Sequence, residues 1–157
     1  MSLHNISPLR YPGGKTRACR ILYDILQDHF DLTFFKTVVS PFFGGGSFEF
    51  YLQNQKNFVI VANDKFTPLY VFWQCCKKNN QELCNMLKKK LDTITKQHFL
   101  EIRHKILNER NEFEQAVMFF ILNRCSFSGS TLSGGFSFES SKKRFTKSSV
   151  ERIANLI

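Results

Sequence analysis

The sequence predicts an α/β fold, with a small parallel sheet in its first half and helices in its second. Three observations carry that prediction. Two short β-branched runs, "FKTVVSPF" and "NFVIVAND", are bounded by turn residues and read as buried strands over about residues 35–40 and 57–62. Helical patterns precede, separate and follow them, and strand–helix alternation marks a parallel unit. From residue 81 onward the periodicity is helical only, over 81–91, 95–109 and 112–124.

The first helix is read over residues 16–30, where Ala18, Ile21, Leu22, Ile25 and Leu26 share one face. "FEFYLQNQ" forms a helix after the glycines that follow the first strand. The run "TPLYVFWQCCKKN" opens with Thr67 as N-cap and Pro68 at the first helical position, a favourable helix start. "EFEQAVMFFILNR" is apolar nearly all round and reads as a buried helix. After Arg124 the pattern gives way to a long polar loop, "CSFSGSTLSGGFSFESSKKRFTKSS", and a last helix is expected from about Ser149. No internal repeat or low-complexity linker occurs.

Length and composition narrow the function classes. A chain of 157 residues is about one domain and buries a substantial core. Phe supplies 18 of them, which implies a thick aromatic core, aromatic contact surface, or both. No run of eighteen apolar residues argues for a membrane span. "MSLHNISPLR" is not a secretory leader, so an intracellular protein is expected. Cys19, Cys75, Cys76, Cys84 and Cys125 are odd in number, with neither CxxC nor zinc spacing, and are expected to be reduced thiols with no metal. Lys and Arg exceed Asp and Glu by 22 to 13, a net charge of +9 that suits a polyanionic partner. Lys77, Lys78, Lys88, Lys89 and Lys90 read as a solvated helical surface.

Two glycine motifs carry the candidate chemistry. "GGKT" at residues 13–16 ends like a phosphate loop, but that motif needs a glycine at position 9, which is Leu9, and a preceding strand, which is lacking. "PFFGGGSFEF" is better placed, between a buried strand and a helix, where glycines let the backbone turn sharply and approach a ligand. Position 49 is Glu, so the dinucleotide form of the motif is incomplete. Asp64 ends the second strand, twenty residues after Gly44, where an acid accepts hydrogen bonds from ribose hydroxyls. In this order the features suggest an adenosine-type cofactor without a pyrophosphate.

"LRYPGGKTR", "PFFGGGSF", "VANDK", "LNRCSFSG" and "GGFS" stand in the order found in Dam-like (D12 class) DNA N6-adenine methyltransferases, and from about Leu9 to Arg152 the chain resembles that family. The resemblance implies an S-adenosyl-L-methionine (AdoMet) dependent, Rossmann-like core, incomplete here, with a helical target-recognition insertion. It divides the chain into an AdoMet-binding part, 1–80, and a recognition part, 81–157. It matches Tyr11, Gly13, Gly14 and Lys15 to the motif that closes over AdoMet. Phe42, Gly44 and Gly46 match the loop under its methionine part, and Asp64 the ribose acid. Double-stranded DNA is the implied partner, and Asn123 and Arg124 match the family's "NR".

The segment after the buried helix suits DNA. It interleaves Phe127, Phe136, Phe138 and Phe145 with Lys142, Lys143, Arg144 and Lys147; cations neutralise phosphates, and aromatic rings stack on or wedge between bases. Two departures from the family stand out. Ser40 occupies the place of an acid that would pair with the cofactor's amino group. The four prolines, Pro8, Pro12, Pro41 and Pro68, are never adjacent, so the (D/N/S)-P-P-(Y/F) loop that holds the flipped adenine is missing and no residue is nominated as catalytic. The expectation is the N-terminal part of such an enzyme, inactive or weakly active alone, completed by a C-terminal half or a second chain. The alternative is a non-catalytic DNA-binding module derived from it.

Overall fold

The computed structural model describes residues 6–156; residues 1–5 and 157 of the two expected parts lie outside them. The helices are α1 (Cys19–His29), α2 (Ser47–Lys56), α3 (Thr67–Lys78), α4 (Asn80–Lys90), α5 (Lys96–Lys105), α6 (Glu112–Cys125), α7 (Phe138–Lys143) and α8 (Lys147–Ala154). Strands β1 (Thr37–Ser40) and β2 (Val59–Ala62) pair in parallel, Thr37 opposite Val59 and Ser40 opposite Ala62, with α2 as the crossover. The result is a helix-rich mixed α/β arrangement around a two-stranded parallel sheet.

Local chemistry sets the element ends. α1 starts later than expected, at Cys19, because residues 11–18 are held in turns: Gly14 N donates to Tyr11 O at 2.9 Å and Ala18 N to Lys15 O at 2.8 Å. α2 is bracketed by left-handed residues, Gly46 at φ 65° and Asn57 at φ 53°. Asn tolerates that region, so Asn57 stops the helix and β2 begins only at Val59. The N-cap of α3 is Phe66 rather than Thr67, since Asp64 Oδ1 accepts from Phe66 N at 3.0 Å and tightens the chain one residue earlier. Thr95 caps α5 and Asn111 caps α6, each accepting from the backbone N–H three residues on.

The expected polar loop is more structured than its composition suggested. Phe127 N donates to Gly135 O at 3.0 Å and Ser137 N to Cys125 O at 2.9 Å, pinching off the turn 126–136. Ser137 then caps α7, a helix with no apolar period to betray it. α8 starts at Lys147 rather than Ser149, because Thr146 and Ser149 form a reciprocal capping box.

Two apolar clusters result. The larger joins α3 to α4, α5, α6 and α8 through Phe72, Phe99, Phe119, Phe120 and Ile153, so α3 shares its apolar face with the helices of 81–157. Phe72 stacks on Phe120 at 5.6 Å between ring centroids. α6 is buried on every side, as its sequence predicted. The smaller cluster sets Tyr23, Leu52 and Phe58 beneath Val38 and Ile60 of the sheet. On α1 the buried line is Cys19 and Tyr23 with Leu22 and Leu26 at its margin; Ile21 and Ile25, expected on the inner face, are exposed. The opposite sheet face is bare: Val39, Val59 and Val61 are 70%, 60% and 53% exposed.

Candidate functional site

The N-terminal motif folds as a tight turn. Pro12 and Gly13 occupy its centre, Gly13 has φ 76°, and Gly14 N closes the turn onto Tyr11 O, the pattern of a type II turn with Pro then Gly. The turn lies against the glycine loop. A Cβ on Gly44 would stand 2.9 Å from Tyr11 Cε1, and one on Gly45 2.8 Å from Tyr11 Cβ, so only glycine lets the Tyr11 side chain lie there. Thr16 Oγ1 meets Ser47 Oγ at 3.1 Å, joining the motif to the first residue of α2. The Lys15 ammonium folds back onto Gly13 O at 2.8 Å.

Asp64 ties the end of β2 to the same loop. Its Oδ2 accepts from Gly44 N at 2.8 Å while Oδ1 takes Phe66 N. A carboxylate offers about four lone-pair sites, so about two remain for further donors. The tyrosine hydroxyl of Tyr11 is pushed up from its ordinary range, first by burial and then by the negative charge of Asp64, which places the two groups in one electrostatic neighbourhood. Tyr11, Gly44 and Asp64, from three separate segments, therefore meet.

The structure adds neighbours that the motifs do not name. Phe42, matched to the loop under the cofactor's methionine part, is 83% exposed, while its neighbour Phe43 is buried and supports the loop. A Cβ on Gly46 would come within 2.4 Å of Phe43 Cζ, so Gly46 is small for the sake of that ring. Ser40, in place of an acid, is buried and donates its hydroxyl to Glu49 Oε1 at 2.6 Å. A carboxylate thus stands beside position 40 after all, brought by the first turn of α2. Trp73 is a further addition: its indole N–H donates to Gly44 O at 3.0 Å, and its ring packs edge-on against Phe43 and Phe50. Trp73 lies in no motif, and Glu49 enters the sequence reading only as the residue that breaks the dinucleotide form; the signals were an acid in the first turn after the glycines and a lone tryptophan on the helix after Asp64.

A cavity of about 830 Å³ opens between β2, α2, α3 and the end of α8, lined by Asp64, Asn63, Phe50, Tyr70 and Trp73 among others. Its size is ordinary for a small-molecule site. Tyr11, Lys15 and the glycines do not line it. Asp64 borders both the cavity and the glycine loop, and so joins the loop to an open volume.

The residues expected at a DNA interface separate into three groups. Asn123 is fully buried and clamps the N-terminal segment: Oδ1 accepts from Arg10 N at 2.9 Å and Nδ2 donates to Arg10 O at 2.7 Å. It is a positioning residue, withdrawn from any surface. Phe145 is buried on Phe120 and Phe136 is partly buried on Phe99, whereas Phe127 and Phe138 are 70% and 71% exposed. Lys142, Lys143 and Lys147 lie on α7 and α8 in surface ion pairs with Asp92, Glu139 and Glu151. Such pairs are cheap to break. Arg144, exposed, follows α7.

Arg124 is only 6% exposed, its guanidinium lies 5.8 Å from the Phe120 ring centre, and its Nε has no hydrogen-bond partner. Burial, and then the positive charges of Arg152, Arg10 and Arg144, push it down to about 10, still charged at neutral pH.

The five cysteines are buried free thiols, and among the described residues no group of His, Cys, Asp or Glu could hold a metal. No helix among them is long and apolar enough to cross a membrane. Residues 11–156, which contain the turn, the glycine loop, Asp64 and the arginine-bearing helices, match the model of the D12 class N6 adenine-specific DNA methyltransferases. A match over nearly the whole chain, on motifs that meet in space, makes this protein a member of the D12 class N6 adenine-specific DNA methyltransferase family.

Proposed function

We propose that the chain captures AdoMet on a Rossmann-like half-core and engages duplex DNA with the surface around the ends of α6, α7 and α8. The observation that carries this reading is the meeting of Tyr11 and Asp64 on Gly44, across segments that are far apart in sequence. The donor set fits the cofactor. Asp64 retains acceptor capacity for ribose hydroxyls, and Glu49, beside Ser40, supplies the carboxylate that an ammonium group requires. Gly13 and Gly14 shape the turn that holds Lys15 at the loop, while Gly44 and Gly46 let the backbone come close. Phe42 presents an open ring beside them.

When bound, AdoMet supplies an activated methyl group, which in this family goes to adenine N6. The chain's own residues bind and orient the donor and hold the DNA; with no Pro-Pro pair in the sequence, none is assigned to holding the adenine amine. Methyl transfer by the chain alone is accordingly expected to be weak or absent.

Calorimetric titration with S-adenosylhomocysteine tests the reading. Saturable binding is expected, weakened by Tyr11→Ala and by Glu49→Gln. Glu49→Gln should leave binding of 5′-methylthioadenosine, which lacks the amino group, unchanged. A folded protein that binds neither compound overturns the cofactor assignment.

The missing Pro-Pro pair favours one second reading, a DNA-binding module without chemistry. It predicts duplex binding with steep salt dependence and no thermal shift with S-adenosylhomocysteine.

A further inference from the structure

The least explained feature of the molecule is its concentration of arginines. Arg124 is buried with an orphaned Nε at the C-terminal end of α6. Around it stand Arg10 from the N-terminal segment, Arg144 from the end of α7 and Arg152 from the last turn of α8, each close enough to depress its basicity. The placement is enforced by neutral groups. Arg10 Nη1 donates to Ser140 Oγ at 3.2 Å, Arg144 N donates to Ser140 O at 2.8 Å, and Asn123 grips the Arg10 backbone from the residue before Arg124.

Among the described residues no carboxylate forms an ion pair with the group. The ion pairs among the described residues use Arg20, Lys142, Lys143 and Lys147, and none of these four arginines. Glu139 feels the charge of Arg144, but its carboxylate is bonded to Lys143 at 3.0 Å. A guanidinium this deeply buried is costly unless an anion compensates it. Its planar fork matches oxygens on phosphorus, and Arg10 and Arg144, both bonded to Ser140, bring further cations to the same junction.

We propose that Arg10, Arg124, Arg144 and Arg152 form a receptor for one phosphate group, at the junction of the N-terminal segment with α6, α7 and α8. The receptor stands on the arginines alone; assigning its phosphate to a nucleic-acid backbone, rather than to a free phosphate ion, rests on the DNA reading above. Because Arg10 immediately precedes Tyr11, an occupied receptor holds in place the segment that carries the turn over the glycine loop.

Thermal melting in sodium phosphate and in sodium chloride at equal ionic strength tests this, with no cofactor present, so failure of the AdoMet reading leaves the result untouched. Above its dissociation constant, each tenfold of phosphate should raise Tm by about 3–6 °C. Phosphate also stabilises proteins generally by exclusion from their surface, and the variants subtract that contribution. Arg124→Met should melt higher than the parent in chloride, because the uncompensated charge is gone, yet lose the phosphate-specific rise. Arg144→Gln and Arg152→Gln, at exposed positions, should fold normally and diminish the rise, and they carry the test should Arg124→Met fail to fold. An equal phosphate shift in the parent and in the double variant R144Q/R152Q, or no shift at all, overturns the proposal. A short DNA duplex added at saturation decides the source: it abolishes the phosphate response where the backbone occupies the receptor, and leaves it intact where the receptor takes the free ion.

Discussion

Replacing Asn123 by Ala should detach the N-terminal segment from the helical core. The side chain makes two short hydrogen bonds to the Arg10 backbone, at 2.9 and 2.7 Å, and two long ones, at 3.4 Å, to Gly129 O and Thr131 Oγ1. Each short bond is worth about 0.5–1.5 kcal/mol net, and the long ones add little. Water can reach the part-buried Arg10 groups once the amide is gone, so the full penalty for unsatisfied groups does not apply. A loss of about 2 kcal/mol follows, or about 4–8 °C in Tm for a chain of this size. Urea denaturation measures the energy, and limited proteolysis between Arg10 and Arg17 measures the detachment. Because Tyr11 is the next residue, S-adenosylhomocysteine affinity should fall with it. A variant that stays within about 0.5 kcal/mol of the parent, with unchanged cleavage, would show that the clamp does not hold the segment.

Other consequences follow from the same geometry. Gly129 has φ +74°, and an added Cβ would stand 2.6 Å from the Arg10 carbonyl oxygen, which cannot yield like a flexible side chain; Gly129→Ala should cost more than about 2 kcal/mol, against a neutral or slightly stabilising Gly135→Ala, where the space is open. Equal urea midpoints for the two would contradict this. Burial pushes the Cys125 thiol up from the ordinary 9.0 to about 12. The unfolded chain loses that proton from about pH 9 while the folded one keeps it, so stability present below pH 9 is lost on going higher, by up to about tenfold in the unfolding constant per pH unit. Urea titrations from about pH 8.5 to 9.5 should show stability falling as pH rises; burial also pushes up the thiols of Cys19, Cys75, Cys76 and Cys84, so Cys125→Ala should lower the slope without abolishing it. Lys142→Ala and Lys147→Ala should leave Tm unchanged, since both pairs lie at the surface, yet each should reduce the salt slope of duplex binding by about one. Duplex binding with an unaltered slope would remove those lysines from the interface.

How far the molecule was legible depends on the range of the forces involved. The parallel unit, the buried α6, the turn at Pro12–Gly13 and the glycine loop follow from rules acting over a few residues: β-branched runs between breakers, apolar period, and backbone that only glycine adopts. The amphipathic pattern of residues 18–26 showed that a helix forms, but Ile21 and Ile25 face outward because the sheet and α2 meet the neighbouring stripe, which no periodicity reveals. The same limit explains Phe42 and Phe43, identical in type and adjacent in sequence, one exposed and one beneath Gly46.

What the sequence by itself determined is therefore the inventory: a basic chain, two short strands, glycine motifs in family order, and the cations and rings of the C-terminal part. The tertiary structure decided how that inventory is used. Glu49 comes beside Ser40, Asn123 turns inward to hold Arg10 across 113 positions of sequence, and Arg124 is buried with its Nε unpartnered. The physical reason is that side-chain hydrogen bonds and charges act over a few ångströms whatever the separation along the chain, so their partners exist only once the helices and the sheet have packed.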